Sequence, residues 1–242
     1  MLHPSKKNNL STQVFRQLQE DILTRQFQPG ERLPSERELC DILGINRSSV
    51  REALKRLEQA RLIEIRQGDG SIVLDFTLTA GFDLLSQMVM PGGRLNPLAL
   101  RSVAELRAIM VTEVARLAAL RVEEPELARL AALVEEIEAC PATDMDAYQE
   151  LDFEFHYTLA RAGGNLGFVL IYNSIRETYR LLRSHFAPMF AHAMAHPGTH
   201  RRILEAVQRR DAEEAKTLCA HFVEQGNQEL WKKYGETSLK LS

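Results

Sequence analysis

A chain of 242 residues, 45% of them apolar, can bury one large core or two ordinary ones. Its formal charge of −3 argues against a general nucleic-acid coat protein, and no run approaches the ~18 uninterrupted apolar residues of a membrane span. Cys40, Cys140 and Cys219 are too widely spaced and too few for a disulfide framework or a cysteine metal site, as expected in a reduced cytoplasm, and the N-terminus has no signal-peptide core.

Ser11 predicts the cap of a first helix, with Val14, Leu18 and Ile22 on one face, ended by Phe27-Gln28-Pro29-Gly30. Ser35-x-x-Glu38 is a capping box: hydroxyl and carboxylate each satisfy a free backbone N–H. It opens a second helix with Leu39, Ile42 and Leu43 as its apolar face, closed by Gly44. Asn46 can cap a third, Arg47–Ala60, with Val50, Ala53, Leu54 and Leu57 inward. Two helices across a tight glycine turn are the skeleton of a helix-turn-helix. Behind them, Leu62–Arg66 and Ser71–Leu74 are β-prone runs around Gln67-Gly68-Asp69-Gly70, the signal of a hairpin wing.

The outer face of the third helix carries the chemistry. Arg47, Ser48, Ser49 and Arg51 crowd its start, with Lys55 one turn beyond, and Arg47–Arg66 holds six Lys/Arg against three Glu. The start of a recognition helix is the part that reaches base edges. The planar fork of arginine matches O6 and N7 of guanine together, while serines there contact phosphate. A first domain over residues 1–75 therefore reads as a double-stranded DNA binder.

From residue 80 to 242 the β signal disappears, and an all-α domain of six or seven helices is expected. Phe82–Met90 is short and stopped by Pro91-Gly92-Gly93; Pro97–Arg121 is long, with a wide apolar stripe from Val103 to Ala118. Pro125 suits the first turn of a helix reaching Ala139, then come Asp146–Ala162, ended by Gly163-Gly164, and Leu166–Met189. Thr199–Arg209 follows Pro197-Gly198, and Asp211-x-x-Glu214 boxes a last helix reaching about Tyr234. The fold class is mainly α, a winged helix-turn-helix followed by a helical bundle.

Within the bundle, Asp152 and His156 are four residues apart, so they share one helix face, with Phe155, Leu159 and Ala160 around them. A carboxylate there needs a partner, because an unpaired buried charge is expensive. His200 leans inward with Ile203, Leu204 and Val207, and His221 flanks Leu218 and Phe222. Three imidazoles and a carboxylate form a set suited to a divalent first-row metal, with zinc, nickel and manganese all open; the competing reading makes each histidine a hydrogen-bonded core residue. His185, His192 and His196 fall outside this set. Arg107 stands among Leu106, Ile109 and Met110 and would meet the charge of a small carboxylate; the competing reading pairs it with Glu105 or Glu113.

Two stretches resemble known families. PGERLPSERELCDILGINRSSVREALKRLE is very similar to the signature of the GntR family of winged-helix regulators. The resemblance implies DNA contacts from Arg37, Arg47, Ser48, Ser49 and Arg51, with Gln67 and Gly68 at the wing tip in the minor groove. Asn46, where threonine is frequent, joins the candidate contacts. LDFEFHYTLARAGGN, THRRILEAVQRRD and the later AHF resemble the helical effector domain of the FadR-type branch, called FCD. In its metal-binding members the ligands are the Asp and His of D-x₃-H and two later histidines, which implies Asp152, His156, His200 and His221, and an arginine near position 107. LNPLALRSVAELRAIM also resembles the acyl-CoA-sensing regulator that names the branch.

The expected protein is a homodimeric repressor or activator on a short inverted repeat, without membrane attachment, controlled by a small organic acid. Acyl-CoA is the runner-up effector. A metal sensor is a third reading, and a metal enzyme a remote one, since no H-E-x-x-H appears and four positions read as ligands.

Overall fold

The computed structural model describes residues 6–91, 94–195 and 198–234. Two compact units divide the chain, Met1–Asn96 and Pro97–Ser242. In the first, α1 (Lys6–Leu23) precedes α2 (Glu36–Leu43) and α3 (Arg47–Gln59), and β1 (Ile63–Arg66) pairs antiparallel with β2 (Gly70–Val73) in the register Ile63↔Val73. The capping box is formed: Glu38 N–H donates to the Ser35 hydroxyl at 3.3 Å, and Ser35 N–H to the Glu38 carboxylate at 2.7 Å. Gly44 closes α2 at φ +65°, a conformation that costs glycine little. Asn46 caps α3 by accepting from Ser49 N–H at 3.0 Å. Ser11 caps nothing: nothing in Lys6–Leu10 breaks a helix, so α1 starts five residues earlier and Ser11 is buried inside it.

Val14, Leu18 and Ile22 of α1, Leu39 of α2, and Val50, Ala53, Leu54 and Leu57 of α3 meet Leu62, Ile63 and Val73 of the hairpin in one core. The segment before α2 completes the wing, Gly30 N–H donating to Val73 O at 2.8 Å and Leu33 N–H to Ser71 O at 2.9 Å. After the hairpin, α4 (Phe76–Thr79), capped by Asp75, and α5 (Phe82–Gln87) still belong here. Phe76 and Leu84 bury into the same core, Arg25 lies 4.4 Å over the Phe76 ring, and the Thr79 hydroxyl donates to Arg61 O at 2.8 Å. These anchors tie residues 75–87 to the first unit, and the second compact unit begins at Pro97. Gly92 and Gly93 lie outside the described residues.

The second unit is α6 (Pro97–Arg121), α7 (Glu124–Ala139), α8 (Met145–Ala162), α9 (Leu166–Leu181), α10 (Arg183–Ala195), α11 (Thr199–Gln208) and α12 (Ala212–Tyr234). The single helix expected over Leu166–Met189 is divided at Leu182, and Pro188, which has no N–H to donate, sits in the second piece. Helix α8 is central, packing on α6, α7, α9 and α10, while α12 lies along α6, α10 and α11. Two glycines allow close approach. A Cβ on Gly163 would stand 3.0 Å from the Leu117 Cβ, and one on Gly226 would stand 3.0 Å from Met189 O. An aromatic cluster of Tyr148, Phe153, Tyr172, Tyr179, Phe186 and Phe190 fills the space among α8, α9 and α10.

Leu57 is fully buried where α3 meets the rest of its unit. Leu57→Ala is expected to cost about 2–5 kcal/mol, while Ile42→Ala, at an exposed site, should change little. Urea unfolding of the two variants checks this.

Candidate functional site

The face of the first unit predicted to read nucleic acid is laid out by α3. Arg47, Ser48, Arg51 and Lys55 are exposed on it, Arg37 is exposed on α2, and Gln67 and Gly68 are exposed at the wing tip. Gly68 at φ +82° and Gly70 at φ +88° make the turn, and Arg32 pairs with Asp69 across it. Asn46 is occupied: its carbonyl accepts both from Ser49 N–H and from the Ser48 hydroxyl at 2.6 Å. Ser49 departs from expectation. With 1% of its surface exposed, it belongs to the inward stripe with Val50 and Ala53 one turn on, because Asn46 as cap turns the third residue of α3 toward the core. Its hydroxyl is not on the outer face.

The second site is built from three helices. Asp152 and His156 stand one turn apart on α8, His200 opens α11, and Arg107 reaches in from α6. Asp152, His156 and His200 are each at most 3% exposed, and their ligand atoms lie within 4.8 Å of one another. One carboxylate oxygen of Asp152 is 3.0 Å from His200 Nε2 and 3.5 Å from His156 Nε2; the other is 3.8 Å from Arg107 Nη2. The acids that might have claimed Arg107 are engaged elsewhere, Glu105 with Arg101 at 2.6 Å and Glu113 with Arg116 at 2.6 Å.

The electrostatics follow from this geometry. Burial alone would raise the Asp152 carboxyl, but His156 and His200 more than reverse it, so the group lies below the usual carboxylate range and is ionised. Desolvation pulls His156 below its ordinary value; the attraction of Asp152 restores only part, and Arg107 opposes protonation further. Neutral imidazole is the form in which histidine ligates a metal, and burial favours that form for His156. Neither of its ring nitrogens has a hydrogen-bond partner, and Arg107 Nη1 is likewise buried and unpaired. Buried polar atoms in folded proteins are rarely left so, and such atoms call for an explanation. The residues fit a metal: two imidazoles and an ionised carboxylate converge, with donor atoms to spare.

His221 does not join them. It is exposed on α12, where the buried stripe runs through Leu218, Cys219, Phe222 and Val223. Phe222 takes the inward place, its ring centroid 5.2 Å from that of His200 and 5.8 Å from that of His156. Of the excluded histidines, His185 packs in α10 and engages Tyr234 through its carbonyl, His192 has no described side chain, and His196 lies outside the described residues. A cavity of about 130 Å³ lies against His200, lined also by Glu138, Cys140, Tyr148 and Met194.

Residues 10–73 match the bacterial regulatory proteins of the gntR family, and residues 102–225 match the FCD domain. The chain belongs to the GntR family. This GntR protein is 36% identical to the HTH-type transcriptional regulator Mce2R of Mycobacterium tuberculosis over 95% of both chains. It is 30% identical to the fatty acid metabolism regulator protein of Cronobacter sakazakii, covering 69% of this chain and 68% of that one. Among solved structures, Lar of Listeria monocytogenes shares the fold with a TM-score of 0.60 at 18% identity, over 96% of this chain and 99% of that one. It is a DNA-binding transcriptional regulator whose second unit is an FCD effector domain. A buried Asp/His/His group that could hold a metal lies within that domain.

Two residues of these sites escape a reading of the sequence. Phe222 looks like core, and only the helical phase of α12 tells it from His221. Glu36 looks like a first-turn acid suited to the helix dipole, yet it binds Arg51 across the helix-turn-helix.

The buried cluster yields a stability contrast. Asp152→Ala leaves Arg107 without its counter-charge and His200 without its acceptor, and should cost about 3–5 kcal/mol. His221→Ala should stay within about 0.5 kcal/mol. Both are measured by urea unfolding with a chelator present, so that lost metal affinity does not enter.

Proposed function

We propose that this regulator binds a short inverted-repeat duplex as a homodimer and is controlled by a small organic acid held in the FCD domain. One recognition helix covers few base pairs, and a two-fold dimer doubles what is read. In the helical unit, Asp152, His156 and His200 would hold a divalent first-row ion. Imidazole suits zinc, nickel and manganese alike, so the donor set leaves the identity open. When bound, the ion supplies a hard Lewis-acid position for a carboxylate oxygen. Arg107 would bind the rest of that carboxylate through Nη1, and the rings of Phe190 and Phe222, 5.6 and 5.9 Å from its guanidinium, would exclude water.

The observation that carries this reading is the pair of unpartnered, buried His156 nitrogens beside an ionised Asp152. With His221 outside, the set has three protein ligands, the number common in catalytic zinc sites. The charged side chain beside them is Arg107, which cannot act as a base, so the arrangement favours binding over turnover. An acyl-CoA effector is the second reading, favoured by the 30% identity to a protein named as a fatty acid metabolism regulator. Effector control requires that the ligand prefer one of two states of the dimer, so that its binding changes affinity for DNA.

A ligand that binds only the folded state stabilises it by about 2.7 kcal/mol at a hundredfold excess over its Kd. Chelation is therefore expected to lower the melting temperature of the wild type and leave His156→Ala unchanged. Equal shifts in both would count against this metal site. In a second test, hydroxy-acids and sugar acids are titrated into the protein–DNA complex alongside an acyl-CoA. Small acids should release wild type, and Arg107→Ala should stay bound at the same concentrations. Release by acyl-CoA alone, indifferent to chelation, would establish the second reading in its place.

A further inference from the structure

Glu36 is the first residue of α2, and its carboxylate faces α3 across the turn. Arg51 donates to it twice, Nε to Oε1 at 3.0 Å and Nη2 to Oε2 at 2.9 Å. The guanidinium carries five N–H bonds in a fixed plane, and this contact uses its side edge. The end edge, made by Nη1 and the second Nη2 hydrogen, remains available. That edge has the spacing of guanine O6 and N7. Arg51 can therefore hold Glu36 and a guanine at the same time.

The pair is solvent-exposed, with 60% of the Arg51 side chain and 32% of the Glu36 side chain accessible. Exposed ion pairs add little to stability, so the contact matters for what it orients. A free arginine on a helix surface loses much rotamer freedom when it docks on a base, and one already fixed in plane loses less. Glu36 also lies within electrostatic reach of Arg47, so one carboxylate acts on both arginines at the start of α3. A negative charge there weakens attraction to phosphate for every sequence equally. Fixing the fork while reducing sequence-independent binding raises the ratio of specific to non-specific affinity.

We infer that Glu36 is a specificity-determining positioning residue: it holds the Arg51 guanidinium by its side edge and presents the end edge to one guanine in each half-site. This rests on the reading of α3 as the recognition helix. The test is selection from a library of 20-base-pair randomised duplexes by wild type, Glu36→Gln, Glu36→Ala and Arg51→Lys. Thermal unfolding confirms which variants are folded, and either Glu36 variant suffices. Wild type should prefer one G·C pair per half-site by about tenfold or more. Glu36→Gln and Arg51→Lys should both flatten that same position to about threefold or less, leave other positions unchanged, and in the Glu36 variants tighten binding to the unselected library. If the Glu36 variants weaken all sequences alike and keep the preference, the pair only braces α2 on α3 and the inference is overturned. If Arg51→Lys changes no position, Arg51 does not read a base, and the inference falls together with that part of the recognition surface.

Discussion

An ionised carboxylate that is 2% exposed must be surrounded by compensating groups, because stranding such a charge costs several kcal/mol. Asp152 imposes that condition on the helical unit. It recruits His156 from its own helix, His200 from α11 and Arg107 from α6, so three helices are fixed relative to one another around a single group. The compensation is incomplete by design of the geometry: Arg107 is 3.8 Å away, with one of its nitrogens unpaired, and His156 makes no good hydrogen bond. A guest that supplies positive charge to Asp152 and negative charge to Arg107 would improve both at once.

The first unit solves a different problem. Its candidate DNA contacts are exposed and individually weak, so their placement depends on backbone devices. The Ser35–Glu38 box, Gly44 in the left-handed region and the Asn46 cap fix where α2 ends and α3 begins. The wing is fixed by two further left-handed glycines and by the strand-like hydrogen bonds of residues 30–33. Side chains then only finish the work, as Glu36 does for Arg51.

Much of this was legible in the sequence, and the parts that were not share a cause. Caps and glycine turns act through neighbours three or four residues away, and so α2, α3 and the wing were read with their bounds nearly right. Asp152 and His156 were read together for the same reason, being one turn apart. Rotational phase is less forgiving. Ser49 and His221 both border an apolar stripe, and one residue step of about 100° decides which side faces inward; packing settled it for Ser49 inward and His221 outward. Phe76 and Leu84 hold the connector after the hairpin to the core of the first unit, a tertiary fact with no local signature. The Asp152–Arg107 pair joins residues 45 apart in sequence, which no spacing rule could single out.

The distribution of aromatic residues has an optical consequence. The single tryptophan, Trp231, and all five tyrosines, Tyr148, Tyr157, Tyr172, Tyr179 and Tyr234, lie after residue 97, while the DNA-reading unit has phenylalanine alone. Ultraviolet excitation near the tyrosine and tryptophan bands therefore illuminates only the helical unit, and three of those tyrosines belong to the aromatic cluster among α8, α9 and α10. The protein carries its own chromophores on the sensing side and is dark on the reading side. A change in its intrinsic emission on adding DNA, once corrected for absorption by the bases, would report on the helical unit with no label attached.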